Sequence, residues 1–169
     1  MSRAVVTAPT EADWAVVRAV RLAALADSPD AFEAVLAEEE TRTEEEWRAR
    51  VRAGGFRLAW LDGEPVGLAR GERHRDEHHL VGVWISPAAR GRGAAPALVD
   101  AVVGWAREQG ASRLYLWVIG DNPAAHALYR RHGFLPTGRV QPLPVRPEQT
   151  EQQYALPLDR PPTRPPGDS

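Results

Sequence analysis

Val83-Trp84-Ile85-Ser86-Pro87-Ala88-Ala89-Arg90-Gly91-Arg92-Gly93-Ala94-Ala95-Pro96 reads as a short apolar strand, a Ser-Pro break, a turn of Arg and Gly, and the first turn of a helix. Such a junction leaves backbone N–H groups unpaired at the positive end of a helix dipole, a site suited to an anion such as a pyrophosphate. Gly91 and Gly93 lack Cβ atoms, so the backbone there can approach an anion closely and take up positive φ. Arg90 and Arg92 can add charge-assisted contacts, with the backbone expected to matter more than either side chain. Taken alone, the stretch also fits a solvated basic loop. The chain on either side decides between the two.

On the N-terminal side, residues 56–61, Asp62-Gly63 and residues 64–71 read as a β-hairpin with a two-residue turn. A charged connection spans 73–77, and strand character returns over 79–85. Earlier still, residues 3–7 predict a strand. Thr10 and Asp13 then open a helix that carries Trp14, Val17, Arg21 and Leu25 at helical spacing. A second helical segment is expected over 32–40, with Glu38-Glu39-Glu40 as a solvated face. Thr43 and Glu46 form a capping box ahead of Trp47, and Gly54-Gly55 ends that helix.

On the C-terminal side, Pro96 sits in a first helical turn, where its missing N–H costs little. Leu98, Val102, Trp105 and Ala106 give that helix an apolar face, and Gly110 stops it. Residues 113–119 are almost wholly apolar and predict a central strand covered on both faces. Asp121-Asn122-Pro123 starts the last helix, with Asn122 as cap and proline first inside; Leu128 and Tyr129 lie along it, and Gly133 ends it. Two further strands are expected near 135–140 and 152–158. The order β-α-α-β-β-β-α-β-α-β-β is mixed α/β. It predicts a single domain over residues 1–159, followed by a Pro-rich tail at 160–169 that reads as disordered.

A chain of 169 residues, 43% hydrophobic and 26% charged, suits one domain with a real core. It has no cysteine, which excludes disulfides, a thiolate nucleophile and Cys-based metal sites. No metal is expected. The formal charge of −2 gives no general attraction to nucleic acid, and RNA binding through the Arg/Gly turn lacks interleaved aromatic residues. No apolar run approaches the roughly 18–20 residues of a membrane span, and no signal-peptide core opens the chain. Cytoplasmic location is the default reading.

Two motifs now act together. Arg90-Gly91-Arg92-Gly93-Ala94-Ala95 fits the pattern Gln/Arg-x-x-Gly-x-Gly/Ala. One strand later comes Asn122-Pro123-Ala124-Ala125-His126-Ala127-Leu128-Tyr129-Arg130-Arg131-His132-Gly133-Phe134. Together they resemble the GNAT superfamily of acyl-CoA-dependent N-acetyltransferases, over roughly residues 5–158. The resemblance implies a mostly antiparallel sheet splayed between its fourth and fifth strands and flanked by about four helices. It implies acetyl-CoA as cosubstrate, its pyrophosphate on the N–H groups of the turn Arg90–Pro96. The pantetheine would then lie along Val83, Trp84 and Ile85 and against Asn122, much as an added strand would. Tyr129 would lie near the thioester sulfur.

Those roles fit the chemistry of an amine attacking a thioester. An N–H of Val83 or Ile85 can stabilise the carbonyl oxygen as it gains charge. A protonated Tyr129 can donate to the departing sulfur. Some members of the family carry a glutamate on the strand before the Asn, where this chain has Trp117. A lysine-type amine must then shed its proton at a cost of about 4–5 kcal/mol at pH 7 unless a base helps. Glu72, Glu77, His78 and His79 are the candidates, with His78 and His79 on opposite sheet faces. Specificity is expected from the N-terminal helices, where Arg18, Arg21, Phe32 and Trp47 can face the substrate, and from a loop over 141–150. The acceptor is a small-molecule or peptide amine. Dimers are common in the family, which leaves a homodimer open. The alternative is a non-catalytic acyl-CoA-binding module.

Overall fold

Asp62 and Gly63 both take positive φ, 51° and 79°, the geometry of a type I′ turn, and fold β2 (Phe56–Leu61) back onto β3 (Glu64–His74). The protein is described by a computed structural model over residues 2–158, apart from Glu33 and Val145; the proline-rich tail lies outside the described residues. β3 and β4 (Glu77–Ile85) run through the stretch that reads as a charged connection. Their pairing reaches His74↔Glu77, so Arg75 and Asp76 alone make the turn. Charge does not prevent strand here because Arg73, His74, Arg75 and Asp76 are all exposed.

β1 (Val5–Thr7), β5 (Arg113–Ile119), β6 (Leu135–Leu143) and β7 (Arg146–Pro157) complete a seven-stranded sheet in the order β1-β2-β3-β4-β5-β7-β6. All its pairings are antiparallel except β4 with β5. That parallel pair is joined by the crossover helix α4 (Ala94–Glu108), as a parallel connection requires. Three helices precede β2: α1 (Trp14–Asp27), α2 (Leu36–Glu40) and α3 (Glu44–Arg52). A fifth, α5 (Pro123–Arg131), follows β5. The Thr43–Glu46 capping box forms: the Glu46 N–H donates to Thr43 Oγ1 at 3.2 Å, and the Thr43 N–H donates to Glu46 Oε2 at 3.0 Å. α2 is shorter than its sequence suggests, since Phe32 is extended and buried.

Two apolar clusters sandwich the sheet. α4 packs Leu98, Val99, Val102 and Ala106 against Ala69, Leu80, Leu114 and Leu116, with Leu128 and Tyr129 of α5 at the edge of the same cluster. On the other face, Val17, Leu25, Trp47 and Val51 of α1 and α3 meet Phe56, Leu58, Leu68 and Trp84 of β2, β3 and β4. No β5 residue joins that second cluster. Leu114, Leu116 and Val118 are buried, whereas Tyr115, Trp117 and Ile119 are half-buried. The expectation of a doubly covered β5 is therefore corrected. The hydrophobic run reflects one packed face and one face that lines a cavity.

Candidate active site

The ladder between β3 and β4 slips by one residue. Leu68 pairs with Trp84, but Arg70 pairs with Val81, so β4 carries an extra residue at Gly82-Val83. Gly82 has φ +66, the left-handed conformation that glycine supplies in such bulges. The slip reverses the faces of the strand beyond it. Leu80 packs beneath α4; after the bulge Val83 and Ile85 take that side, and Trp84 turns to α1. The Ser86 N–H donates to Val66 O at 2.7 Å, which makes that pair hydrogen-bonded. By antiparallel alternation Trp84 also faces β3, and the backbone groups of Val83 and Ile85 face β5. β5 does not meet them. Its pairing with β4 stops at His78↔Leu114 and His79↔Tyr115, and the strands part beyond it.

The turn after β4 leads into α4 with Gly91 at φ 77 and Gly93, the N-cap, at φ 84. Among the described residues, no hydrogen bond occupies the N–H groups of Gly91, Arg92, Gly93, Ala94 or Ala95. Five donors therefore surround the positive end of a 15-residue helix. Pro96 has no N–H to contribute. Arg92 is exposed, 3.8 Å from Asp62. Arg90 is committed elsewhere: its Nη2 donates to Asp27 Oδ2 at 2.8 Å and its Nε to Ile85 O at 3.1 Å. Trp84 Nε1 donates to the same Asp27 oxygen at 3.0 Å. Asp27, the last residue of α1, thus ties β4 to the turn. Hydrogen bonds from Trp84 and Ser28, then Arg90, hold its carboxyl below the usual carboxylate range.

Asn122 caps α5 by accepting from the Ala125 N–H at 3.2 Å, which leaves its amide N–H groups available. Tyr129 lies about two turns further along, its ring edge-on to Phe134 at 5.9 Å. Its hydroxyl makes no hydrogen bond among the described residues, and burial pushes its pKa up to about 12. The phenol is protonated throughout the neutral range.

Val83, Asn122 and Tyr129 open onto one cavity of ≈630 Å³, walled by Val81 and Gly82 of β4 and by Trp117 and Ile119 of β5. Its wall also carries charged groups: Arg21, Arg50, Arg70, Glu39, Glu72, His74 and His79. Glu72 and His79 are cross-strand partners. His78 points the other way, edge-on to Trp105 at 5.7 Å, and burial lowers its pKa. The Arg146 guanidinium donates to the carbonyls of Pro29, Asp30 and Phe32 and so clamps the α1–α2 connection to the start of β7.

Of the acceptor-side residues suggested by sequence, Arg21 and Phe32 line the cavity, whereas Trp47 is fully buried in the core. Residues 141–150 are largely the β6–β7 hairpin rather than a loop. Glu39 is the clearest departure from expectation. It is 4% exposed, and Arg50 and Arg42 donate to it at 2.8 and 3.3 Å. Burial works to raise its pKa, but the Arg50 hydrogen bond and the surrounding arginines hold it low.

Residues 22–134 match the acetyltransferase (GNAT) family, and the chain belongs to that family. It is 34% identical over 133 residues to a mycothiol acetyltransferase of Renibacterium salmoninarum, an alignment covering 73% of this chain and 37% of that protein. The chain spans less than half the length of the curated relatives it matches. A GNAT-family acetyltransferase from Streptococcus pneumoniae shares the fold with a TM-score of 0.76 at 20% identity, over 93% of this chain and all of that one. The yncA protein of Salmonella typhimurium, solved with its cofactor acetyl-CoA, does so at 0.73 and 19% identity, over 99% of both chains. The splayed, mostly antiparallel sheet implied by the two sequence motifs is the fold of this protein.

Proposed function

We propose that the chain transfers the acetyl group of acetyl-CoA to a primary amine by direct attack in the gap between β4 and β5. The observation that carries this reading is convergence: the unpaired Val83 edge, Asn122 and a protonated Tyr129 open onto one cavity, and the same strand runs on into a turn whose N–H groups are unoccupied. Membership of an acetyltransferase family supports the same reading, as do the acetyltransferase names of the relatives. The residues fit the donor. The free N–H groups of residues 91–95 suit a pyrophosphate, and the Val83–Ile85 edge with the Asn122 amide suits the amide-bearing pantetheine arm.

Bound acetyl-CoA supplies an activated acyl group and a thiol as leaving group. As the amine nitrogen bonds to the carbonyl carbon, the N–H of Val83 or Ile85 donates to the oxygen on which charge builds. As the C–S bond breaks, the Tyr129 hydroxyl donates its proton to sulfur and recovers one from solvent. The surplus proton on nitrogen passes to Glu72 or His79, directly or through one water. An α-amine needs only about 1–1.5 kcal/mol for this at neutral pH.

Because Asp27 anchors both β4 and the turn, Asp27→Asn is expected to raise KM for acetyl-CoA several-fold with kcat little changed. Steady-state kinetics check this. The anchoring charge is present above the ordinary carboxylate range and is lost only as pH falls through the lowered Asp27 pKa. The reading as a whole is tested by following free CoA thiol over a panel of amines. Release with any of them supports transfer. Tight acetyl-CoA binding with no release across the panel supports a non-catalytic acyl-CoA-binding module instead.

A further inference from the structure

Three arginines from separate elements line the cavity: Arg21 of α1, Arg50 of α3 and Arg70 of β3. They are unequally matched. Arg50 and Arg42 share the single carboxylate of Glu39. Arg70 reaches Glu72 at 3.7 Å and lies over the Phe56 ring at 5.1 Å, and among the described residues its buried Nε has no hydrogen-bond partner. Arg21 makes no hydrogen bond or ion pair among the described residues and lies over the Phe32 ring at 5.0 Å.

The cost of this arrangement falls on Arg21. Burial lowers its pKa to about 10; Glu39 works against that, while Arg50, Arg70 and Arg42 add to it. The four arginines meet Glu39 and Glu72; with Glu151, the third carboxylate on the cavity wall, which accepts from the Gln141 amide, one positive charge is in excess. A partly desolvated guanidinium without a counter-ion is an expensive group to keep unless a ligand supplies the anion.

Position narrows the ligand. Arg21 Nη1 stands 3.0 Å from where a Cβ on Gly82 would be, and so beside the bulge that turns Val83 toward the gap. An anion held there lies a few atoms from the strand edge assigned to the thioester. We propose that the amine acceptor carries an oxyanion, a carboxylate or a phosphate, seated on Arg21 and Arg70, with its nitrogen toward Glu72 and His79. This rests on the acetyl-transfer reading above. Guanidinium groups suit the role because their planar fork binds either oxyanion through paired N–H donors.

Matched pairs of amines test it: an amino acid against its carboxamide, and O-phosphoethanolamine against ethanolamine. CoA release by the full chain is followed at saturating acetyl-CoA. The anionic member of at least one pair is expected to show kcat/KM about 10- to 100-fold above its neutral partner, the range of a charged hydrogen bond. The pair that shows it identifies the oxyanion. Arg21→Gln is expected to collapse that ratio toward one, and Arg21→Lys to retain part of it. Equal or better use of the neutral members by the wild type overturns the inference, whatever the variants do. So does an Arg21→Gln defect confined to KM for acetyl-CoA, which would assign the arginine to the donor. Absence of release from every amine overturns the transfer reading and this inference with it.

Discussion

Tyr129→Phe is expected to lower kcat by about 100- to 1,000-fold, within the range for loss of a general acid, while KM for acetyl-CoA stays within about twofold. Phenylalanine keeps the edge-on contact with Phe134 and removes only a hydroxyl that no described residue engages. The fold should therefore be unaffected, and thermal unfolding with steady-state kinetics would separate the two effects. Full turnover in the variant would remove Tyr129 from the chemistry. The pH profile gives an independent reading. The Tyr129 pKa rises from 10.0 to about 12 on burial, so its linked contribution to stability is complete below 10 and is lost as pH rises through about 12. Across the neutral range kcat/KM should climb as the amine loses its proton, with no descending limb from this phenol.

The largest effect on stability is expected at Trp47. Its side chain is fully buried between α3 and the sheet, and its indole N–H has no partner among the described residues, so truncation there costs packing and no hydrogen bond. Trp47→Ala should cost about 3–5 kcal/mol. For a domain of this size that lowers the Tm by about 6–20 °C, read by calorimetry. The consequence reaches the cavity. Arg50 stacks 4.6 Å from the Trp47 ring and from there holds Glu39. Loosening this platform should raise KM for the amine more than KM for acetyl-CoA.

The two halves of the site differed in how far they could be read from sequence, and the reason is locality. The donor half lies within continuous stretches. The strand, the Arg/Gly turn and the Pro96 helix start are adjacent in the chain, and Asn122 and Tyr129 share one helix. Turn and cap chemistry act over a few residues, so their residue types declare the geometry. Even there, Arg90 looked like an anion ligand until Asp27, 63 residues away, was seen to hold its guanidinium.

The acceptor half is assembled across the fold. Arg21, Arg50 and Arg70 stand on three elements; sequence offered Arg21 as one of several residues that can face the substrate and did not single out Arg50 or Arg70. Glu39 sits in a run of three glutamates, and nothing in that run distinguishes the buried one from its exposed neighbours. β5 misled for a related reason. Apolar residues on both faces are what two covering layers require, yet α1 and α3 stop at β4, and Trp117 and Ile119 line a cavity. The resemblance implied that the sheet splays beside β4, and did not single out the bulge at Gly82. No local signal marks it, because one glycine in a strand fits a weak point as well as a slip in register.

A crystal structure with CoA bound would test the proposed mechanism most directly. It should show the pyrophosphate on the N–H groups of residues 91–95, the pantetheine beside Val83–Ile85 and Asn122, and the sulfur within hydrogen-bond distance of Tyr129 Oη. A sulfur outside the gap between β4 and β5, with Tyr129 facing only protein, would contradict it.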